Sequence, residues 1–217
     1  LDGAGARAFV PSLRPEWVAH AWYDEDAADM DVGAILQGFL RQLRHRGGVV
    51  RTDAEVLALR RGGEGWTVST GRGEVIAPVV VDAGGAWADT VAGLAGLAPI
   101  GIQPKRRTAI VVDAPAGQDS RRWPCTADVR ETWYFKPEAG KLMCSPGDET
   151  TSEPCDAQPE ELDIAVCVDR VQQAVDIDIR RIEHSWAGLR CFAPDRTPVA
   201  GFDPRAEGFF WLAGQGG

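Results

Sequence analysis

The sequence predicts an α+β / α/β protein: an α/β layer in its first half, then a mostly antiparallel sheet with one covering helix. Three observations carry this reading. Residues 77–97, "APVVVDAGGAWADTVAGLAGL", run from a continuous apolar strand through glycines into a helix, the strand–turn–helix order of an α/β ligand-binding junction. From Pro99 the chain changes to β-rich runs joined by turns: "IGIQPKRRTAIVVDAP", "TADVRETWYFKPEAGKLMCSP" and "IRRIEHSWAGLRCF". Among them stands one helical segment, "QPEELDIAVCVDRVQQAV", with Pro159, Glu160 and Glu161 suited to its first turn.

Residues 31–46, "DVGAILQGFLRQLRHR", place Ile35, Leu36, Phe39, Leu40 and Leu43 at helical spacing, with Asp31 as N-cap and Gly47-Gly48 as the stop. Three strand-like runs follow, "GVVRTDAEVLALRR", "GWTVSTG" and "EVIAPVVVDAGG". The last carries the pattern of a strand buried on both faces. In the second half, "KPEAGK" reads as a hairpin turn between Tyr134-Phe135 and Leu142-Met143. The division is therefore 1–98 for the α/β layer and 99–213 for the antiparallel sheet, with 214–217 a glycine-rich tail.

The chain has 217 residues, 44% apolar and 25% charged, enough for a substantial core. A net charge of −9 speaks against a nucleic-acid or anionic-membrane surface. No apolar run is long enough to span a membrane, and the first residues lack the order of a signal peptide. Five cysteines without a CxxC pair suit reduced thiols in a cytoplasmic setting, and three scattered histidines give no metal-ligand spacing.

Six places could carry chemistry. "GAGARA" at 3–8 satisfies G-x-G-x-x-A but has no strand before it, so it reads as a weak phosphate loop or a flexible terminal linker. "DAGGAWAD" at 82–89 could turn backbone N–H groups toward a phosphate or cofactor edge, or be a tight turn without a ligand. Arg190, among apolar neighbours, needs a partner: a ligand carboxylate or a structural acid. Arg107 poses the same choice, and its neighbour Arg106 must point to the opposite face of their strand. Tyr134 is a hydroxyl donor or a core residue. The closing "GFFWLAGQGG" ends an apolar run in glycines that permit close backbone approach.

Taken in order, "VVVDAGGAWADTVAGLAGL", "IGIQPKRRTAIVV", "WYFKPEAGKLMCSP", "HSWAGLRCFAPDRTPVAGFDP" and "GFFWLAGQGG" resemble the FAD-dependent D-amino-acid oxidase and dehydrogenase superfamily. The branch resembled includes glycine oxidase, with the D-arginine dehydrogenases nearest. The resemblance implies that 1–98 is a partial FAD-binding domain, 99–213 a substrate-binding domain and 214–217 the start of a flavin-facing loop. It also implies that the N-terminal GxGxxG unit and a C-terminal helix lie outside this sequence, so that residues 1–217 alone hold FAD weakly or not at all.

By the same resemblance, Val56, Ala83, Gly84, Gly85, Ala86, Trp87, Gly214 and Gly216 contact the cofactor. Arg190 clamps the substrate α-carboxylate, Arg107 and Tyr134 support it, and the Gly217 carbonyl receives the α-amino group. The branch tends to place methionine where Cys125 stands, against the substrate side chain. The implied chemistry is hydride transfer from the Cα of an amino acid or amine to the flavin, then hydrolysis of the imino product. Two other readings remain: a non-enzymatic module for a small carboxylate or a partner, and a nicotinamide dehydrogenase using "GAGARA". The colour of the purified protein separates the first reading from the second.

Overall fold

The computed structural model describes residues 1–216. The segment containing "GAGARA" is neither a phosphate loop nor a flexible linker. It is helix α1 (Gly3–Phe9), capped by Asp2, whose carboxylate accepts the Gly5 N–H at 2.7 Å. Gly3 is required by packing, since a Cβ there would lie 2.3 Å from the Val18 carbonyl oxygen. Its first glycine is packed against the Val18 carbonyl rather than open to a ligand, which leaves the nicotinamide reading without support from this segment.

Helix α2 (Val32–His45) starts at the expected cap, where Asp31 accepts the Ala34 N–H at 2.8 Å, and stops at Gly47, whose φ of 82° suits glycine. Strands β1 (Val56–Gly62), β2 (Gly65–Thr70) and β3 (Gly73–Ala77) form an antiparallel meander. The expected long buried strand is broken. Pro78 separates β3 from β4 (Val80–Asp82), and the two belong to different sheets. Val79 and Val81, two residues apart, are exposed because the face they share is left uncovered by the described residues. A short 3-10 turn (Gly85–Trp87) then leads into α3 (Ala88–Leu94).

The second half is built on β5 (Gln103–Val112), the longest strand. Around it lie β6 (Thr126–Ala127), β7 (Tyr134–Glu138), β8 (Lys141–Ser145), β9 (Thr150–Thr151) and β10 (His184–Phe192). The order is β10-β5-β8-β7-β6, with β9 also on β5, and every pairing is antiparallel. The β7–β8 hairpin turns at Ala139 and Gly140, both with positive φ (48° and 81°), the geometry that matches strand twist. Helix α4 (Glu161–Ala174) covers one face, with Glu160 as N-cap, so Pro159 precedes the helix rather than opening its first turn.

Residues 199–213 depart from the expectation that they extend this sheet. Strand β11 (Val199–Phe202) pairs with β12 (Phe209–Ala213), and β12 runs parallel to β4. The chain thus returns to its first half. Two cores result: Ile110, Val112, Phe135, Leu142, Cys167 and Val171 lie between the large sheet and α4. Leu59, Trp66, Ala88, Phe209 and Trp211 lie between the small sheets and α3. No helix among the described residues is long and apolar enough to cross a membrane.

Candidate functional site

Pairing register sorts the side chains of the large sheet. Arg190 lies opposite Lys105, Gly188 opposite Arg107 and Trp186 opposite Ala109. On the other flank Val111 lies opposite Met143, and Tyr134 opposite Ser145. Since strand residues two apart share a face, Tyr134, Arg107 and Arg190 project from one face. Arg106 projects from the other, where it pairs with Glu160 and with Asp163 of α4 at 2.9 Å. Between Tyr134 and the arginines the floor is small: Ser145, Ala109 and Gly188. A Cβ built at Gly188 meets nothing within 4 Å, so the surface is open there.

The residues on this face are differently engaged. Arg107 donates from Nε to the Asp148 carbonyl at 2.8 Å and lies 3.4 Å from Glu149, so part of its guanidinium is committed to the protein. Arg190 is half-buried and makes no hydrogen bond or ion pair within the described residues. The Tyr134 hydroxyl is likewise unbonded, and the core position falls instead to Phe135, stacked on Trp133 at 5.9 Å. Cys125 is exposed just before β6, near Lys136 and Asp29; burial pushes its thiol upward against the pull of Lys136. Gly217 lies outside the described residues.

The second cluster is at the C-terminal ends of β4 and β12. Their parallel pairing, with Trp211 opposite Asp82, brings Ala83–Trp87 and Gly214–Gly216 to one edge of the sheet, where ligands of α/β folds bind. Asp82 Oδ1 accepts the Gly84 N–H at 3.0 Å, and a Cβ on Gly84 would lie 3.1 Å from that oxygen. Asp82 Oδ2 is buried and has no partner among the described residues. Burial pushes the Asp82 carboxyl up to about 6 despite the opposing Gly84 hydrogen bond. Ala86 is buried, whereas Ala83 and Trp87 are exposed. Val56, at the start of β1, packs on the same core as Ala86.

The tail glycines have a structural reason of their own. A Cβ on Gly214 would come within 3.3 Å of the Ala193 nitrogen, and one on Gly216 within 2.7 Å of the Phe192 ring. The Gly216 N–H donates to the Cys191 carbonyl at 2.8 Å, and Gln215 forms a bridge with Phe192. The tail is therefore stitched to the end of β10, beside Arg190. The two clusters, read separately from the sequence, meet there. The exposed Ala83 and Trp87, the partly exposed Gly84 and Gly85 and the Asp82 oxygen left unpaired among the described residues fit a cofactor with a hydrogen-bonding edge.

Sequence reading missed Asp82, Glu149 and Arg196. A lone acid closing an apolar strand was the available signal for the first. For the others, "GDET" and "APDRTP" gave only turn chemistry, because their meeting depends on register.

The fold is shared with solved structures. Over 100% of this chain it superposes on L-proline dehydrogenase from P. horikoshii with a TM-score of 0.86 at 20% identity, covering 59% of that chain. For glycine oxidase from Geobacillus kaustophilus the values are 100%, 0.83 and 24%, covering 57% of that chain. Iminodiacetate oxidase from Chelativorans sp. BNC1 gives 100%, 0.82 and 19%, again covering 57% of its chain. The present chain thus spans less than two thirds of the length of each. A model described as DAO, FAD dependent oxidoreductase, matches residues 1–217, and the chain belongs to that family.

Proposed function

We propose that the complete protein is an FAD-dependent oxidoreductase of the D-amino-acid oxidase and dehydrogenase type, acting on the Cα of a small amino acid or amine. The observation that carries this reading is the junction of the two clusters: Gly216 hydrogen-bonds to Cys191, the residue after Arg190, so a carboxylate site and a cofactor edge are neighbours. We assign Val56, Ala83, Gly84, Gly85, Ala86, Trp87, Gly214 and Gly216 to the cofactor side, and Arg107, Tyr134, Arg190, Cys125 and Gly217 to the substrate side. The remaining strands and the pyrophosphate loop come from chain outside these residues, and 1–217 alone binds FAD weakly.

Bound FAD would accept the hydride from Cα, and the imino acid left behind would take up water and release ammonia, giving a 2-oxo acid. The residues of this chain bind and orient. Arg190, half-buried and without an acidic partner among the described residues, offers a planar fork to the α-carboxylate. Lys105 lies directly opposite, and two like charges so placed favour an anion between them. Tyr134 offers its hydroxyl from across the small-residue floor, fixing the carboxylate at a second point.

The test is steady-state kinetics on the full-length protein with D-amino acids and an artificial electron acceptor. Arg190→Ala is expected to lower kcat/KM by about 2–5 kcal/mol of transition-state binding, with folding intact by circular dichroism. Full activity of that variant would remove the carboxylate reading.

A further inference from the structure

The open face of the large sheet holds more positive charge than substrate binding by Arg190 requires. Lys105, Arg107 and Arg190 project from it, and Arg196, from the loop after β10, places its guanidinium 4.1 Å over the Phe192 ring. A single carboxylate draws two of these groups together. Glu149 accepts from Arg196 Nη1 at 3.1 Å and Nη2 at 2.8 Å, and lies 3.4 Å from Arg107 Nη2. Arg196, followed by Arg107 and then Lys105, holds the Glu149 carboxyl below its usual range against the effect of burial.

The arrangement is built rather than incidental. Arg196 sits at φ 62°, a left-handed conformation unfavourable for a residue with a Cβ. Asp148, next to Glu149, is locked by the Thr108 N–H at 2.7 Å and the Thr108 hydroxyl at 2.9 Å, and its carbonyl holds Arg107 Nε. Glu149 therefore hangs from a fixed backbone. Of three guanidinium groups on this side, two share Glu149, and Arg190 has no acidic partner among the described residues.

We propose that Glu149 sets the charge class of the substrate: by occupying Arg107 and Arg196 it leaves Arg190 to bind one carboxylate, and so selects monocarboxylates over dicarboxylates. This rests on the reading of Arg190 as the carboxylate clamp. A second carboxylate on the ligand meets Glu149 and is repelled. With the Glu149 charge removed, it meets two unpaired guanidinium groups and gains charge-assisted hydrogen bonds.

The experiment measures acetate and malonate affinity of the full-length protein by tryptophan fluorescence, Trp186 lying on the same face. Wild type is expected to bind acetate at least as tightly as malonate. Glu149→Gln should shift the ratio of affinities toward malonate by about tenfold, and Glu149→Asp should restore the wild-type ratio. A general structural role would weaken both anions together and leave the ratio unmoved. If Glu149→Gln does not fold, Glu149→Gln/Arg196→Gln keeps the loop neutral and frees Arg107 alone, with the same direction expected. An unchanged ratio in a folded variant overturns the selector while leaving the Arg190 clamp standing. Acetate binding that survives Arg190→Ala overturns the clamp and the selector with it.

Discussion

Phe135 in β7 and Phe39 in α2 are the same residue type in regular elements, yet the first is 0% exposed and the second 67%. The contrast extends to their surroundings. The large sheet presents Ile110, Val112, Leu142 and Phe135 to α4, and all four are fully buried. Helix α2 buries no residue, although Ile35, Leu36, Phe39 and Leu43 line one stripe. Val79, Val81 and Trp87 around β4 are exposed as well. Amphipathic pattern determines which face a helix will hide, and only a neighbour can hide it. The large sheet has its neighbour within these residues; the small sheets and α3 close a core of their own, while α2 and the exposed residues around β4 have no cover among the described residues.

The largest expected effect is at the closed core. Phe135→Ala removes a ring packed on Trp123 and Trp133 and should cost about 3–5 kcal/mol in urea unfolding. A loss below about 1 kcal/mol would mean that this core is not the stable half, and the comparison would fail.

Asp82 sharpens the comparison by pH. Its carboxyl is raised to about 6 by burial first, with Asp89 adding repulsion and the Gly84 N–H opposing. A carboxyl with a raised native pKa favours the folded state at low pH, and that contribution is lost as pH rises through the native value. Between pH 4 and pH 7, wild type should therefore lose stability relative to Asp82→Asn, by at most about 3 kcal/mol. Unfolding curves for both proteins across that range measure the difference. A constant difference would mean that Asp82 stays solvated and that the edge of β4 is wet.

Arg106→Ala should act on stability and Arg190→Ala on activity, although both arginines belong to one sheet. Arg106, with a side chain 12% exposed, donates to Asp163, which is 14% exposed. Removing it strands a shielded carboxylate and should cost about 1–3 kcal/mol by chemical denaturation. Catalysis by the remaining folded enzyme should be spared. A variant that is stable but inactive would place Arg106 on the site face and shift the register of β5 by one residue.

Much of this sheet was legible in the sequence because its signals are local. Alternation along "PKRRTAIVV" separates Arg106 from Arg107 without any knowledge of the partners. Positive-φ residues in "EAGK" announce the hairpin, and the acidic start of "EELDIAVCVDRV" announces α4. The cofactor side was less legible because its decisive contacts are distant. Nothing near Val80 signals a parallel pairing with residues 209–211, and Pro78 breaks the strand from within a run whose apolar pattern is continuous. In "LDGAGARAF" the eye goes to the glycines, whereas Asp2, three residues before Gly5, is the cap that makes the segment a helix. Glu149 and Arg196 are 47 residues apart and meet only after β5, β8 and β10 are assembled.

The smallest expected effect is the most discriminating. Phe39→Ala in residues 1–217 should change unfolding free energy by less than about 0.5 kcal/mol, since a side chain two-thirds exposed gives up little on truncation. Alanine is also the better helix former, so the sign can even be favourable. A helix of 14 residues that buries none of them is marginal in water, and its amides should exchange faster than those of α4, which has the same length. In the full-length protein the same substitution should cost about 2–4 kcal/mol if a further layer covers the stripe, because a buried phenylalanine is then lost. Equal and negligible costs in both proteins would mean that α2 stays exposed and that the cofactor side closes by some other surface. A large cost in residues 1–217 alone would mean that α2 already packs within them, and the contrast with Phe135 would disappear.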